Sequence, residues 1–130
     1  MVDQQQLSDL QLAIMRVLWD RKEATAADVH AELQADRELA PTTVATLLSR
    51  LEKRGLVEHR SRGRQYIYHP KVTEQEVRRT MLRRLTDFFF GGDQAALVSH
   101  LVRTDDIQPE DLHAIRDLLR LRESDREGDG

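Results

Sequence analysis

Residues 41–55 have the sequence PTTVATLLSRLEKRG, and this stretch decides the fold. Its apolar residues follow the i, i+3, i+4, i+7 spacing of one buried helix face: Val44, Leu47, Leu48 and Leu51. Pro41 suits the first helical turn, where its missing N–H leaves no helix hydrogen bond unmade. Gly55 suits the left-handed residue that commonly follows a helix. The stretch therefore predicts one amphipathic helix.

The opposite face of this helix carries hydroxyl groups and cations. At about 100° per residue, these side chains lie on or beside that face: Thr42, Thr43, Thr46, Ser49, Arg50 and Lys53. The major groove of B-DNA admits a helix, and Thr, Ser and Arg side chains can contact base edges or phosphates there. An ordinary solvated helix has the same pattern, so the flanking sequence must distinguish the two interpretations.

Two helices are predicted before this one and a β-hairpin after it. Ser8 begins a capping box, and Thr25 is placed as a helix cap with Asp28 three residues on; each marks the start of a helix. Residues 56–60 and 64–70 contain β-branched and aromatic residues, and the short segment 61–63 between them contains glycine, which predicts a hairpin. Three helices followed by a hairpin are typical of a winged helix-turn-helix domain.

The second half of the chain predicts three more helices with apolar stripes. Thr73 caps the first, Gly91 and Gly92 end it, and Pro109 opens the last. About fifty residues rarely build a core of their own. Since major-groove readers commonly dimerise on two-fold sites, we expect a homodimer interface rather than stripes folded back on the winged helix. Its expected residues are Val77, Met81, Leu85, Phe88, Phe89, Leu97, Leu101, Leu112, Ile115 and Leu119.

The predicted architecture is mostly α with a small β-hairpin wing. A winged helix-turn-helix domain is expected at residues 1–70, with a boundary near Pro70. A three-helix dimerisation domain is expected at 71–124. The segment 125–130 has no apolar side chain to bury and is expected to be a disordered tail.

Composition limits the class of protein. The 130 residues are 39% hydrophobic and 33% charged, which is typical of a globular chain rather than a disordered or membrane protein. No signal peptide and no apolar run near the ~20 residues needed to span a bilayer are visible, so a cytoplasmic protein is expected. The chain has no cysteine, which excludes disulfides and thiolate metal sites.

Charge is distributed unevenly along the chain. The formal charge is -3, yet residues 1–70 hold ten Lys/Arg and ten Asp/Glu, and residues 50–64 hold six basic and two acidic side chains. Arg62 and Arg64 stand at the hairpin tip, where a wing would lie over phosphates, and Thr25 begins a helix whose free N–H groups could face another phosphate. Together with the six residues of the helix face, these three are the predicted DNA-binding residues.

No enzyme is predicted. The hydroxyl groups have no paired base, there is no glycine-rich phosphate loop, and the five histidines lack metal-ligand spacing. We therefore expect no catalytic residue, no metal and no cofactor. Two alternatives remain beside a DNA-binding repressor: a MarR-like regulator released by a small molecule, and a winged helix used for protein–protein contact.

An ordered set of segments resembles the penicillinase-repressor family of bacterial transcription factors (BlaI/MecI type, with CopY as relatives). The matching segments are Val17–Asp20, Ala24–Val29, Leu39–Val57, Gly63–Arg64 with Tyr66–Tyr68, Phe90–Gly92 and Pro109–Leu112. The resemblance covers about residues 7–122. It implies a homodimeric repressor on a palindromic operator, typically with TACA/TGTA half-sites, that controls β-lactam-response genes.

The resemblance also implies induction by proteolysis, when a membrane sensor detects a β-lactam. The family's cleaved bond joins Asn to Phe in the fifth helix, whereas the corresponding pair here is His100 and Leu101. This difference puts cleavage by a sensor protease in question. The metal site of CopY-type relatives needs C-terminal cysteines, so copper sensing by that route is excluded.

Overall fold

A computed structural model describes residues 7–104 and 106–128. The described residues form two compact units, with the boundary between Arg84 and Leu85. In chain order the elements are α1 (Asp9–Arg21), β1 (Ala24–Thr25), α2 (Ala26–Leu33), α3 (Pro41–Lys53), β2 (Val57–Arg62), β3 (Gln65–Pro70), α4 (Glu74–Phe90), α5 (Gln94–Arg103) and α6 (Pro109–Gly128).

The predicted helix ends are set by local hydrogen bonds. The Ser8 hydroxyl accepts from the backbone N–H of Gln11, whose side chain accepts from the N–H of Ser8, both at 3.1 Å. Thr25 and Asp28 make the same reciprocal pair at the start of α2. Gly55 after α3 has φ 81°, the left-handed conformation that glycine adopts without a Cβ penalty.

The core of the first unit lies between α1, α2, α3 and the sheet. Apolar stripes from the three helices are excluded from solvent there, and they meet residues from β2 and β3. The fully buried side chains are Ile14, Met15, Leu18, Val29, Val44, Leu48, Leu51, Leu56 and Val57. The apolar stripe of α3 therefore packs into the core and leaves the opposite face of the helix exposed.

The hairpin β2–β3 is antiparallel, with Val57 opposite Pro70 and Arg62 opposite Gln65. Gly63 turns the chain with φ 63°. The short strand β1 adds to the other edge of β3, giving the order β1-β3-β2. The predicted fold class is confirmed, and the sheet has one strand more than the hairpin expected from the sequence.

The segment between β3 and α4 is hydrogen-bonded to the rest of the first unit. The indole Nε1–H of Trp19 in α1 donates to the carbonyl of Val72 at 2.9 Å, and the N–H of Lys71 donates to the carbonyl of Leu56 at 2.9 Å. Trp19 and Val72 also pack against the core as half-buried residues. Trp19 is therefore a core aromatic with a satisfied polar atom, as buried indoles usually are.

The second unit contains the C-terminal part of α4 with α5 and α6. Asp93 caps α5, whose described residues include no buried side chain. α6 continues to Gly128, beyond the expected start of the tail at 125, because residues 120–127 contain helix-forming Arg, Leu and Glu and no Gly or Pro. Residues 129 and 130 of the predicted tail lie outside the described residues. Within the described ranges, no helix has both the length and the apolar character needed to cross a membrane.

Candidate nucleic-acid interface

The exposed face of α3 contains a shallow depression of about 210 Å³. It is lined by Thr42, Thr43, Thr46, Leu47 and Arg50. Four of these five were predicted as DNA-binding residues, so the helix brings together methyl groups, hydroxyls and a guanidinium on one surface. Such a surface can make both hydrogen bonds and thymine-methyl contacts in a major groove.

A second groove, of about 250 Å³, connects α2, α3 and the wing. Its lining includes Thr25 at the start of α2, Ala45 of α3, and Arg64 and Tyr66 of the wing. Small side chains such as Ala45 leave room for a sugar–phosphate chain to approach the backbone. The predicted phosphate-binding residues Thr25 and Arg64 therefore line one and the same groove.

The N-terminus of α2 is a weaker anion site than its sequence indicates. Its capping box already uses the N–H groups of Thr25 and Asp28, which leaves the first-turn N–H groups of Ala26 and Ala27 beside the groove. Hydrogen bonds from Thr25, above all from its backbone N–H, hold the pKa of Asp28 below its usual value. Because that carboxylate is ionised at neutral pH and repels phosphate, Arg64 is the stronger anion-binding group of the groove.

Some charged residues of the segment 50–64 form ion pairs within the fold, and others remain exposed without such a pair. Arg60 donates to both carboxylate oxygens of Glu23 at 2.6 and 3.1 Å, and this bond lowers the pKa of Glu23. Both carboxylates of the segment are also engaged, Glu52 with His59 and Glu58 with Lys71. Within residues 50–64, all of which the structure describes, four exposed cations have no carboxylate within salt-bridge distance: Arg50, Lys53, Arg62 and Arg64.

The two units carry opposite formal charge. Residues 1–84 hold 15 Lys/Arg and 12 Asp/Glu, which gives +3, and residues 85–130 hold five and 11, which gives -6. A boundary at residue 70 gives only 0 and -3, because residues 71–84 hold five Lys/Arg and two Asp/Glu, a net charge of +3. The acidity of the chain therefore belongs to the unit that lacks the candidate interface, and the other unit is basic enough to attract a polyanion.

Some residues of this surface were missed from the sequence. Leu47 was assigned to the buried stripe, but it is half-buried at the edge of the depression, beside Thr43 and Arg50. Its angular position at the margin of the apolar arc would have indicated this. Gln65 and Tyr66 line the groove only because the hairpin pairs in the observed register, which the residue types alone do not fix. Ser49 and Lys53 are exposed on α3, as predicted.

Helices α1–α3 with a three-stranded antiparallel sheet and an exposed third helix define a winged-helix DNA-binding protein. The penicillinase repressor family model matches residues 7–121. The chain therefore belongs to the penicillinase repressor family, whose members are DNA-binding transcriptional repressors and not enzymes. This membership supports the repressor interpretation over a MarR-like regulator.

Individual relatives agree with this assignment. The chain is 39% identical to the transcriptional regulator BlaI of Mycobacterium tuberculosis over 98 residues, which are 74% of this chain and 71% of that protein. It is 26% identical to the penicillinase repressor of Bacillus licheniformis over 114 residues, 88% and 89% of the two chains. The solution structure of the DNA-binding domain of the repressor BlaI superimposes with a TM-score of 0.52 at 33% identity, covering 58% of this chain and 93% of that domain.

Proposed function

We propose that this repressor binds its operator by inserting α3 into the major groove, while the wing and the start of α2 contact phosphates. The observation that carries the proposal is the exposed α3 face, with its depression of threonines and Arg50 beside Lys53. Thr42, Thr43, Thr46, Ser49 and Arg50 are the proposed base-reading residues. Lys53, Arg62, Arg64 and Thr25 are the proposed backbone contacts, because phosphate contacts position a protein without specifying sequence.

We also propose a homodimer on a palindromic operator, formed through the helical segment that follows the winged helix. Exposed apolar side chains in α4 and in the second unit support this, since monomers rarely expose many large apolar groups together. Phe88 and Phe89 are 82% and 67% exposed, and the following predicted interface residues are also exposed or half-buried: Met81, Leu85, Leu97, Leu101, Leu112, Ile115 and Leu119. Val77 is only 5% exposed within the chain itself, so we leave it out of the proposed interface.

For regulation, we propose β-lactam-response genes as targets and release by a sensor protease that cleaves between His100 and Leu101. The curated relatives of this chain are penicillinase and methicillin-resistance repressors. His100 is exposed in α5 and immediately precedes Leu101 of the proposed dimer interface, so cleavage of this bond would disrupt the interface and release the operator. The protein would act in the cytoplasm, where its operator lies.

Genome-wide mapping of bound DNA tests the binding proposal. We expect a small set of sites with two-fold symmetric half-sites, close to genes of the β-lactam response. Binding without a shared sequence would contradict base reading by α3. Mass spectrometry of the repressor from β-lactam-treated cells tests release. A fragment ending at His100 supports cleavage there. Finding only intact repressor in cells whose target genes are induced contradicts it.

A further inference from the structure

Glu52 is the one acidic residue of α3, and it lies in the last turn of a helix proposed to approach DNA. Its side chain contacts strand β2 at two points. Oε2 accepts from the backbone N–H of His59 at 3.2 Å, and the two carboxylate oxygens lie 2.8 and 2.7 Å from His59 Nδ1. Because a carboxylate offers only acceptors, Nδ1 carries the hydrogen and donates it, which fixes the orientation of the imidazole ring.

The oriented imidazole continues the contact into the wing. Its ring stacks on Tyr66 of β3, with centroids 4.1 Å apart and planes 24° from parallel, and it also lies 5.6 Å from the ring of Tyr68. Tyr66 remains 51% exposed and lines the groove together with Arg64. A continuous set of contacts therefore leads from the C-terminal turn of α3, through β2, to the groove-facing side of β3.

We propose that Glu52 and His59 are positioning residues that hold the wing against α3, so that α3 and the wing cations engage DNA as one preorganised surface. This inference rests on the proposed function, because it assumes that Arg62 and Arg64 contact phosphates. A wing that is already ordered loses less conformational entropy when it binds DNA. The same contacts turn the carboxylate of Glu52 toward His59, which explains how an acidic residue can occupy this helix.

The test combines the double substitution Arg62→Ala/Arg64→Ala with Glu52→Ala. Binding to a fluorescein-labelled operator duplex is followed by anisotropy at several salt concentrations. In the full-length wild-type background, losing two phosphate contacts should reduce the slope of log K against log salt by about 1.8, at about 0.9 per contact. In the Glu52→Ala background the wing contacts are already impaired, so the same double substitution should change the slope by less than half as much.

The outcomes separate the contact of Glu52 with His59, which we call the clamp, from the proposed function. An equal loss of slope in both backgrounds overturns the clamp while leaving the wing contacts in place. No loss of slope in the wild-type background overturns the proposed wing contacts and the clamp with them. A merely structural role for Glu52 would lower the melting temperature without removing the effect of the two arginines.

Three further variants keep the test independent of folding defects. Glu52→Gln retains an oxygen that accepts from Nδ1–H, so the full effect of the arginine substitutions should return. Glu58→Ala is the matched control, because it removes one negative charge, as Glu52→Ala does, but leaves the contact of Glu52 with His59 intact. In this background the arginine substitutions should have their full effect. His59→Phe keeps a ring to stack on Tyr66 and the backbone N–H that donates to Glu52, but its side chain cannot donate. It should therefore shift the effect of the arginine substitutions toward that seen with Glu52→Ala; wild-type behaviour of this variant contradicts a role for the Nδ1 hydrogen bond.

Discussion

Replacing Leu85 and Phe89 together with alanine should convert the proposed homodimer into a monomer. The two side chains are four residues apart on α4 and are 39% and 67% exposed. Burying the exposed two-thirds of a Phe removes roughly 130 Å² from water and contributes about 3 kcal/mol, and the exposed part of a Leu adds about 1 kcal/mol. Since a two-fold interface uses each residue twice, the double substitution removes about 8 kcal/mol as an upper estimate.

Half of that value would still raise the dimer Kd by roughly a thousandfold, since about 1.4 kcal/mol corresponds to a factor of ten. Sedimentation velocity over a dilution series measures the change, and far-UV circular dichroism verifies that the helices remain. Arg79→Ala, on an exposed polar position of the same helix, is the matched control and should leave the Kd unchanged. A natively folded double variant with the wild-type Kd would refute this interface.

Three predictions concern the stability of the first unit. Trp19→Phe removes the hydrogen bond to Val72 and should lower the free energy of unfolding by about 1 kcal/mol in urea titrations; an unchanged value would mean that the bond contributes nothing. Leu48→Ala leaves a cavity at a fully buried site and should lower the free energy of unfolding by about 3 kcal/mol. A decrease below about 1 kcal/mol would contradict the place of Leu48 in the core. Hydrogen bonds from Thr25 lower the pKa of Asp28 in the folded protein. The carboxylate therefore contributes its full stabilisation above the ordinary pKa of about 3.9, and this stabilisation is lost as the pH falls through the lower pKa of the folded state. Asp28→Asn should therefore destabilise the protein at pH near 7 and converge with wild type in acid; a constant difference would exclude this linkage.

Periodicity and capping chemistry were sufficient to predict the winged helix. The spacing of Val44, Leu48 and Leu51 fixed which face of α3 is buried, and the exposed face followed from it. Ser8 and Thr25 predicted their helix starts because a capping box is a local hydrogen-bond pattern, complete within four residues. Local rules of this kind can be applied before any tertiary contact is known.

Features that depend on tertiary pairing could not be predicted. Strand β1 is only two residues long, so it has no periodicity and exists through pairing with β3. Arg60 is one of the six basic residues of the segment 50–64, but the fold places Glu23, 37 residues away in sequence, within hydrogen-bond distance of it. The contact of Glu52 with His59 likewise depends on where β2 returns beside α3. The sequence predicted α3 and its exposed face, but only the structure shows which of the neighbouring charged residues are paired with one another.

Selection of preferred sites from a random duplex library, performed with wild type, Thr46→Ala, Arg50→Ala and Arg62→Ala, tests the central claim most directly. If α3 reads bases and the wing holds phosphates, the Thr46 and Arg50 variants should each select a changed half-site, with about 1–3 kcal/mol less discrimination at the affected positions. Arg62→Ala should weaken binding to all sequences equally and select the wild-type site. The same selected site for all four proteins would contradict base recognition by α3.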